Sequence, residues 1–162
     1  MKEATFTTEV IRSLRHFGFW AFKIPDAPIT KELLKITRFT MAKPCDIVAC
    51  LPVGVISDGV FVAIECKQFK KWKAFSVRDM RPAQVEQLSA LEDHGASCWV
   101  FLNVRMKGTN RLIIFEWAEL RVRFLHKKES IKAKELQARH FVKVLHINDK
   151  IGYDLSGMKG AV

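Results

Sequence analysis

Phe6, Val10, Leu14 and Phe17 recur at helical spacing near the start of the chain and predict a helix over residues 5–17, closed by Gly18. Glu9 falls at the border of that apolar stripe rather than on its far side. Residues 19–24 are rich in aromatics and predict a strand, which Pro25 and Pro28 stop. Apolar runs at 46–51 and 60–67 predict two further strands. Between them, turn signals around Gly54 and at Ser57-Asp58-Gly59 predict a small hairpin. Pro82 fits the first turn of a helix over 82–93, ended by Gly95, with Gln84, Leu88 and Leu91 on one face. Strands are expected at 96–104 and 112–115, joined by the turn Lys107-Gly108-Thr109-Asn110. Trp117, Leu120 and Phe124 predict a helix over 116–124. Ile131, Leu136, Val142 and Leu145 predict an amphipathic helix over 130–145, with Lys132, Lys134 and Arg139 outside. Gly152, Gly157 and Gly160 give the last dozen residues the look of a tail. The pattern as a whole is α/β: one domain over 1–150, followed by a tail over 151–162, with no internal repeat.

Composition narrows the partners. A hydrophobic content of 49% beside 27% charged residues fits a soluble globular protein of 162 residues. There is no apolar run of about 18 residues or more, which argues against a membrane partner, and the start lacks the apolar core of a signal peptide. The net charge of +10 asks for an anionic partner, nucleic acid first, because neutralising phosphates releases counterions. Cys45, Cys50, Cys66 and Cys98 form no CxxC pair, which argues against zinc and suits a reducing cytosol. Cys50, Cys66 and Cys98 read as small core residues; Cys45 is either a packing residue or a reactive thiol.

The candidate chemistry lies between Lys43 and Gln84. Residues two apart in a strand share a face, so Glu65 and Lys67 point one way with Phe61 and Ala63, while Val60, Val62, Ile64 and Cys66 point the other. If the strand opened by Asp46 pairs alongside, its carboxylate meets Glu65. Two close carboxylates repel, and a divalent cation relieves the repulsion. Oxygen ligation by two carboxylates, with water and phosphate completing the shell, is typical of magnesium. Lys67 adds a positive charge beside the metal, where it would orient or deprotonate the attacking water or stabilise a phosphate in flight. The bland alternative is that all three simply meet water at strand ends.

These residues resemble the PD-(D/E)xK nucleases, and within them the Holliday junction resolvases of the RecU type, with a more distant likeness to the archaeal Hjc type. The resemblance covers residues 5–117. It rests on Glu9, Phe22-Lys23-Ile24-Pro25, Asp46, Ile64-Glu65-Cys66-Lys67, Lys73-Ala74-Phe75-Ser76, Gln84-Val85-Glu86-Gln87-Leu88 and Gly95 with the strand after it. One departure is the Pro44-Cys45 pair, where RecU-like proteins tend to carry a hydroxyl residue.

The resemblance implies a mixed central sheet flanked by helices, of the restriction-endonuclease-like type. It implies a metal-dependent endodeoxyribonuclease that nicks four-way DNA junctions symmetrically as a homodimer, in the cytoplasm of a bacterium or a phage-infected host. Asp46 and Glu65, with the carbonyl of Cys66, would hold Mg2+, with Mn2+ as a substitute. Lys67 would orient water, Gln84 would position water or phosphate, and Glu9 would be a further ligand. A nuclease specific for flaps, ends or duplex, and a non-catalytic DNA-binding protein, remain the alternatives.

Basic residues supply the candidate DNA contacts. Lys23, Lys35, Arg38 and Lys43 precede or flank Asp46; residues 30–43 are a plausible counterpart of the stalk that RecU-like proteins insert into the junction centre. Lys70, Lys71, Lys73, Arg78 and Arg81 follow Lys67, with Trp72 between them, either packed or stacked on a base. Residues 121–143 hold eight Lys/Arg against Glu129 and Glu135, and either contact DNA or are simply solvated.

Overall fold

The computed structural model describes residues 3–25, 43–50 and 61–160. The expected hairpin within 52–59 and the stalk counterpart, with Lys35 and Arg38, lie outside the described residues.

Helix α1 (Glu3–His16) forms where the spacing predicts it, and Phe6, Val10 and Leu14 are fully buried along one stripe. Each such burial contributes on the order of 1.5–3 kcal/mol. Strands β1 (Trp20–Lys23), β2 (Ile47–Cys50) and β3 (Phe61–Phe69) pair antiparallel in sequence order. Helix α2 (Pro82–Asp93) then crosses over to β4 (Ser97–Met106), which runs parallel to β3. An antiparallel turn leads to β5 (Thr109–Glu116), giving a mixed sheet of order β1-β2-β3-β4-β5. The expected α/β architecture, a mixed central sheet flanked by helices, is the observed one.

Both faces of the sheet are covered. Val62, Ile64 and Cys66 join α1 in one apolar cluster; Ala63 joins Leu88 of α2 in the other, with Phe75, Trp117 and Phe124. Strand β3 is therefore buried on both sides, and Glu65 and Lys67 lie within the protein rather than on a wet face. Trp72 packs against Phe141, so it serves as a packing aromatic here.

The C-terminal third departs from the pattern. Helix α3 (Trp117–Arg121) continues as a π-helical turn over Val122–His126, burying Trp117, Leu120 and Phe124 as expected. The helix expected over 130–145 shrinks to α4 (Ala133–Ala138). Pairing wins on either side of it: Ile131 bridges to Phe75, and Val142 donates its amide to the carbonyl of Leu112 at 2.9 Å. Beyond it, β6 (Val144–Ile147) and β7 (Lys150–Tyr153) form a hairpin through Asn148 and Asp149, both at positive φ.

The expected tail over 151–162 is thus corrected. Tyr153, Leu155 and Met158 are buried against α1, and the Tyr153 amide donates to Ser13 Oγ at 2.8 Å. The glycine signal misled for a steric reason. A Cβ on Gly152 would lie 2.5 Å from Ile147 Cδ1 and 3.1 Å from Ser13 Oγ, so this glycine permits close packing.

Candidate active site

The register of β2 on β3 puts Ile47 opposite Ile64, and one step further along the ladder Asp46 comes level with Glu65. The Asp46 amide donates to the Ile64 carbonyl at 3.0 Å. Its carboxylate Oδ2 accepts the Cys66 amide at 2.9 Å, so the strand itself aims the aspartate. Lys43 Nζ lies 2.6 Å from Asp46 Oδ1.

Glu65 is 1% exposed. Its Oε1 accepts from Gln84 Nε2 and lies 3.1 Å from Lys67 Nζ. Gln84 Oε1 in turn accepts from Lys67 Nζ at 2.7 Å and from the Arg81 amide at 3.0 Å. Two donors at Oε1 fix the orientation of the amide and leave Nε2 to face the carboxylate. Gln84 thus caps the start of α2 and holds Glu65 at once.

One atom in this group is unsatisfied. Glu65 Oε2 is buried with no hydrogen-bond partner among the described residues. A buried carboxylate oxygen left in this state costs on the order of 1–3 kcal/mol or more. Burial, and then the charge of Asp46, push the Glu65 carboxyl from its ordinary 4.5 up to about 8, against the opposing pull of Lys67. An oxygen-only pair of carboxylates, one with a vacant buried lone pair, fits a hard divalent cation.

A consequence follows for stability. Between pH 4.5 and about 8 the folded protein retains a proton on Glu65 that the unfolded chain has released. Stability present below the lower value is therefore lost as pH rises through the upper one. In chelator, the thermal midpoint is expected to fall over that range, by a free energy on the order of a few kcal/mol. Magnesium should restore it, and Glu65→Gln should flatten the dependence; differential scanning fluorimetry across pH reads all three.

The comparisons with known proteins bear on this geometry. The model of the RecU family, described as Recombination protein U, matches residues 36–156. The chain belongs to the RecU family. The likeness to Holliday junction resolvases of the RecU type is thereby borne out. Among solved structures, the chain is similar to Archaeoglobus fulgidus Hjc, a Holliday junction resolvase from an archaeal hyperthermophile. The identity is 24%, over 71% of this chain and 77% of that one, with a TM-score of 0.44. No curated protein matches the chain.

Not every residue singled out in this RecU-family chain reaches the carboxylate pair. Glu9 lies on α1, over the face of β3 opposite to Glu65. Its Oε1 and Oε2 accept from Arg105 Nη1 and Nη2 at 3.1 and 2.6 Å, and Oε2 also accepts from the Tyr153 hydroxyl at 3.0 Å. Its carboxylate sits in an ion pair that ties α1 to β4 and the C-terminal hairpin. Sequence reasoning missed this network. Its signal was the polar pair Asn103 and Arg105, which breaks an apolar strand on one face.

Cys45 is a packing thiol. It is fully buried, its Sγ donates to the Ile47 carbonyl at 3.2 Å, and burial pushes it up to about 12. Of the basic candidates, Lys23 is half-buried on β1, and Lys43 is taken by Asp46 rather than presented at the surface. Lys70, Lys71, Lys73, Arg78 and Arg81 are exposed between β3 and α2, with Lys73 paired to Asp79 and set over the Phe69 ring.

Proposed function

We propose that this RecU-family protein resolves four-way DNA junctions by metal-assisted hydrolysis of a phosphodiester bond, with Asp46, Glu65, Lys67 and Gln84 as its catalytic group. The observation that carries the reading is the level placement of Asp46 and Glu65, with the Lys67 ammonium at Glu65 Oε1 and Oε2 left bare. Asp46, Glu65 and the Cys66 carbonyl would hold Mg2+, or Mn2+ in its place. When bound, such an ion supplies Lewis-acid polarisation of phosphate and a more acidic water.

The protein's own groups do the positioning. Hydrolysis joins a water oxygen to phosphorus and breaks the bond to a deoxyribose oxygen, so negative charge grows on the phosphoryl oxygens. Lys67, held by Gln84 and Glu65, is a fixed positive charge for that moment and needs no reorganisation. Gln84 donates to Glu65 and accepts from Lys67, so it holds both side chains in place. A homodimer suits the substrate, since a two-fold junction offers two strands to two matching sites. The setting is the cytoplasm, where DNA recombines; among the described residues no helix is long and apolar enough to cross a membrane.

The test compares synthetic junction, flap and linear duplex substrates across a magnesium titration, with sizing of the products. The expected result is paired, symmetric nicks in the junction only. Faster cleavage of the flap would assign the site to a different nuclease, and junction binding without magnesium-dependent cutting would make the protein a binder.

A further inference from the structure

Residues 121–143 carry a second basic run whose place in the fold the carboxylate site does not explain. Two backbone hydrogen bonds decide where it sits. The Phe75 amide donates to the Ile131 carbonyl at 2.9 Å, and the Ile131 amide donates back to Phe75 at 2.8 Å. This bridge lays residues 127–134 beside the loop that leaves β3 after Phe69.

The two stretches frame a depression of about 500 Å³, lined in part by Ser76, Arg78, Lys128 and Ser130. Lys70, Lys71 and Arg78 on one side are exposed, as are Lys127, Lys128, Lys132 and Lys134 on the other. Among the described residues, none of these seven is held in an ion pair. The nearby acids are largely spent: Asp79 is paired with Lys73, and Glu135 with Arg123, leaving Glu129. Arg123 also donates to the Ser130 carbonyl at 3.3 Å, and the Glu129 amide donates to the Arg123 carbonyl at 3.0 Å, so the π-helical turn holds the run in place.

Lys128 adds an independent sign. Its φ is 55°, a left-handed conformation in which glycine is unstrained and lysine is not. A lysine at such a turn trades local stability for a charge.

We propose that residues 127–134 and the 70–78 loop together form the seat for the phosphate backbone of one duplex arm, leading away from the catalytic group. The proposal rests on the reading of the protein as a junction enzyme, and of the C-terminal run it assigns DNA contacts to residues 127–134 alone. The partner is double-stranded DNA because the surface offers separated ammonium groups. Its 70–78 side also continues directly from β3, the strand that carries Glu65 and Lys67.

The experiment measures binding of a fluorescent linear duplex in chelator over a series of KCl concentrations. Lys127→Ala, Lys128→Gly and Lys132→Ala are combined in one protein. A control combines Lys107→Ala, Lys143→Ala and Lys150→Ala, which removes the same charge from exposed sites elsewhere. Each lost phosphate contact lowers the slope of log affinity against log salt by about 0.9. The expected change in the first variant is about two to three in slope and a roughly tenfold or greater loss of affinity at low salt, with less than about one in the control. Equal slopes for the two variants would overturn the proposal. Lys128→Gly alone should keep or raise the thermal midpoint while weakening binding; unchanged affinity would also overturn it. Duplex binding reads this surface, whereas junction cleavage reads the resolvase assignment, so the two failures are distinguishable.

Discussion

Glu65→Gln is expected to lower junction cleavage by at least about 1,000-fold while junction affinity stays within about threefold of wild type. The substitution is isosteric, so the hydrogen bonds around Oε1 decide its orientation. Gln84 Nε2 and Lys67 Nζ both need an acceptor there. The new carbonyl oxygen must take that position, and the new NH2 then occupies the place of the bare Oε2. Two N–H donors replace the one buried oxygen free for a cation, and they repel it. Affinity is spared because Glu65 is 1% exposed and makes no part of the basic surface. The fold is also spared: up to about pH 8 a neutral amide replaces a carboxyl that is itself protonated, and above it a buried charge and its repulsion with Asp46 are removed. Gel-based single-turnover cleavage and anisotropy in chelator separate the two effects. Equal loss of binding and turnover would mean that Glu65 supports the fold or the DNA surface instead.

Lys67→Ala is expected to slow turnover by about 100- to 1,000-fold with junction affinity again nearly unchanged. Lys67 is 9% exposed, and its ammonium faces Gln84 and Glu65 within the protein. A group so enclosed adds little to capture of a long duplex, whose phosphates meet the exposed lysines first. Its value lies in charge fixed before reaction. Lys67→Arg should not rescue the loss, because a planar guanidinium cannot reproduce a point donor 2.7 Å from Gln84 Oε1. Measuring kcat and Kd for both variants tests the claim; collapse of affinity in Lys67→Ala would make the lysine a binding residue.

Much of the fold was legible because the dominant signals were local. Phe6, Val10 and Leu14 declared α1, Pro82 and Gly95 bracketed α2, and the apolar run before Glu65 declared β3. The carboxylate pair was legible for a similar reason. Asp46 stands at the head of one strand and Glu65 at a matching height in the next, so simple antiparallel pairing brings them level. What failed was set by long-range contacts. Periodicity over 130–145 suggested one helix, yet Ile131 and Val142 found extended partners in Phe75 and Leu112. Gly152 read as flexibility, whereas it is small because Ile147 and Ser13 crowd it. Glu9 was read beside Asp46 and Glu65 from the resemblance; the ion pair it makes with Arg105, 96 residues away along the chain, was not foreseen. No short window of sequence contains that pairing.

The most direct measurement of the central claim is a Mn2+ titration followed by electron paramagnetic resonance, on wild type and on Asp46→Asn combined with Glu65→Gln, without DNA. The account predicts saturable binding to wild type that the double variant loses while its thermal unfolding stays cooperative. Equal Mn2+ binding by the two proteins would contradict it.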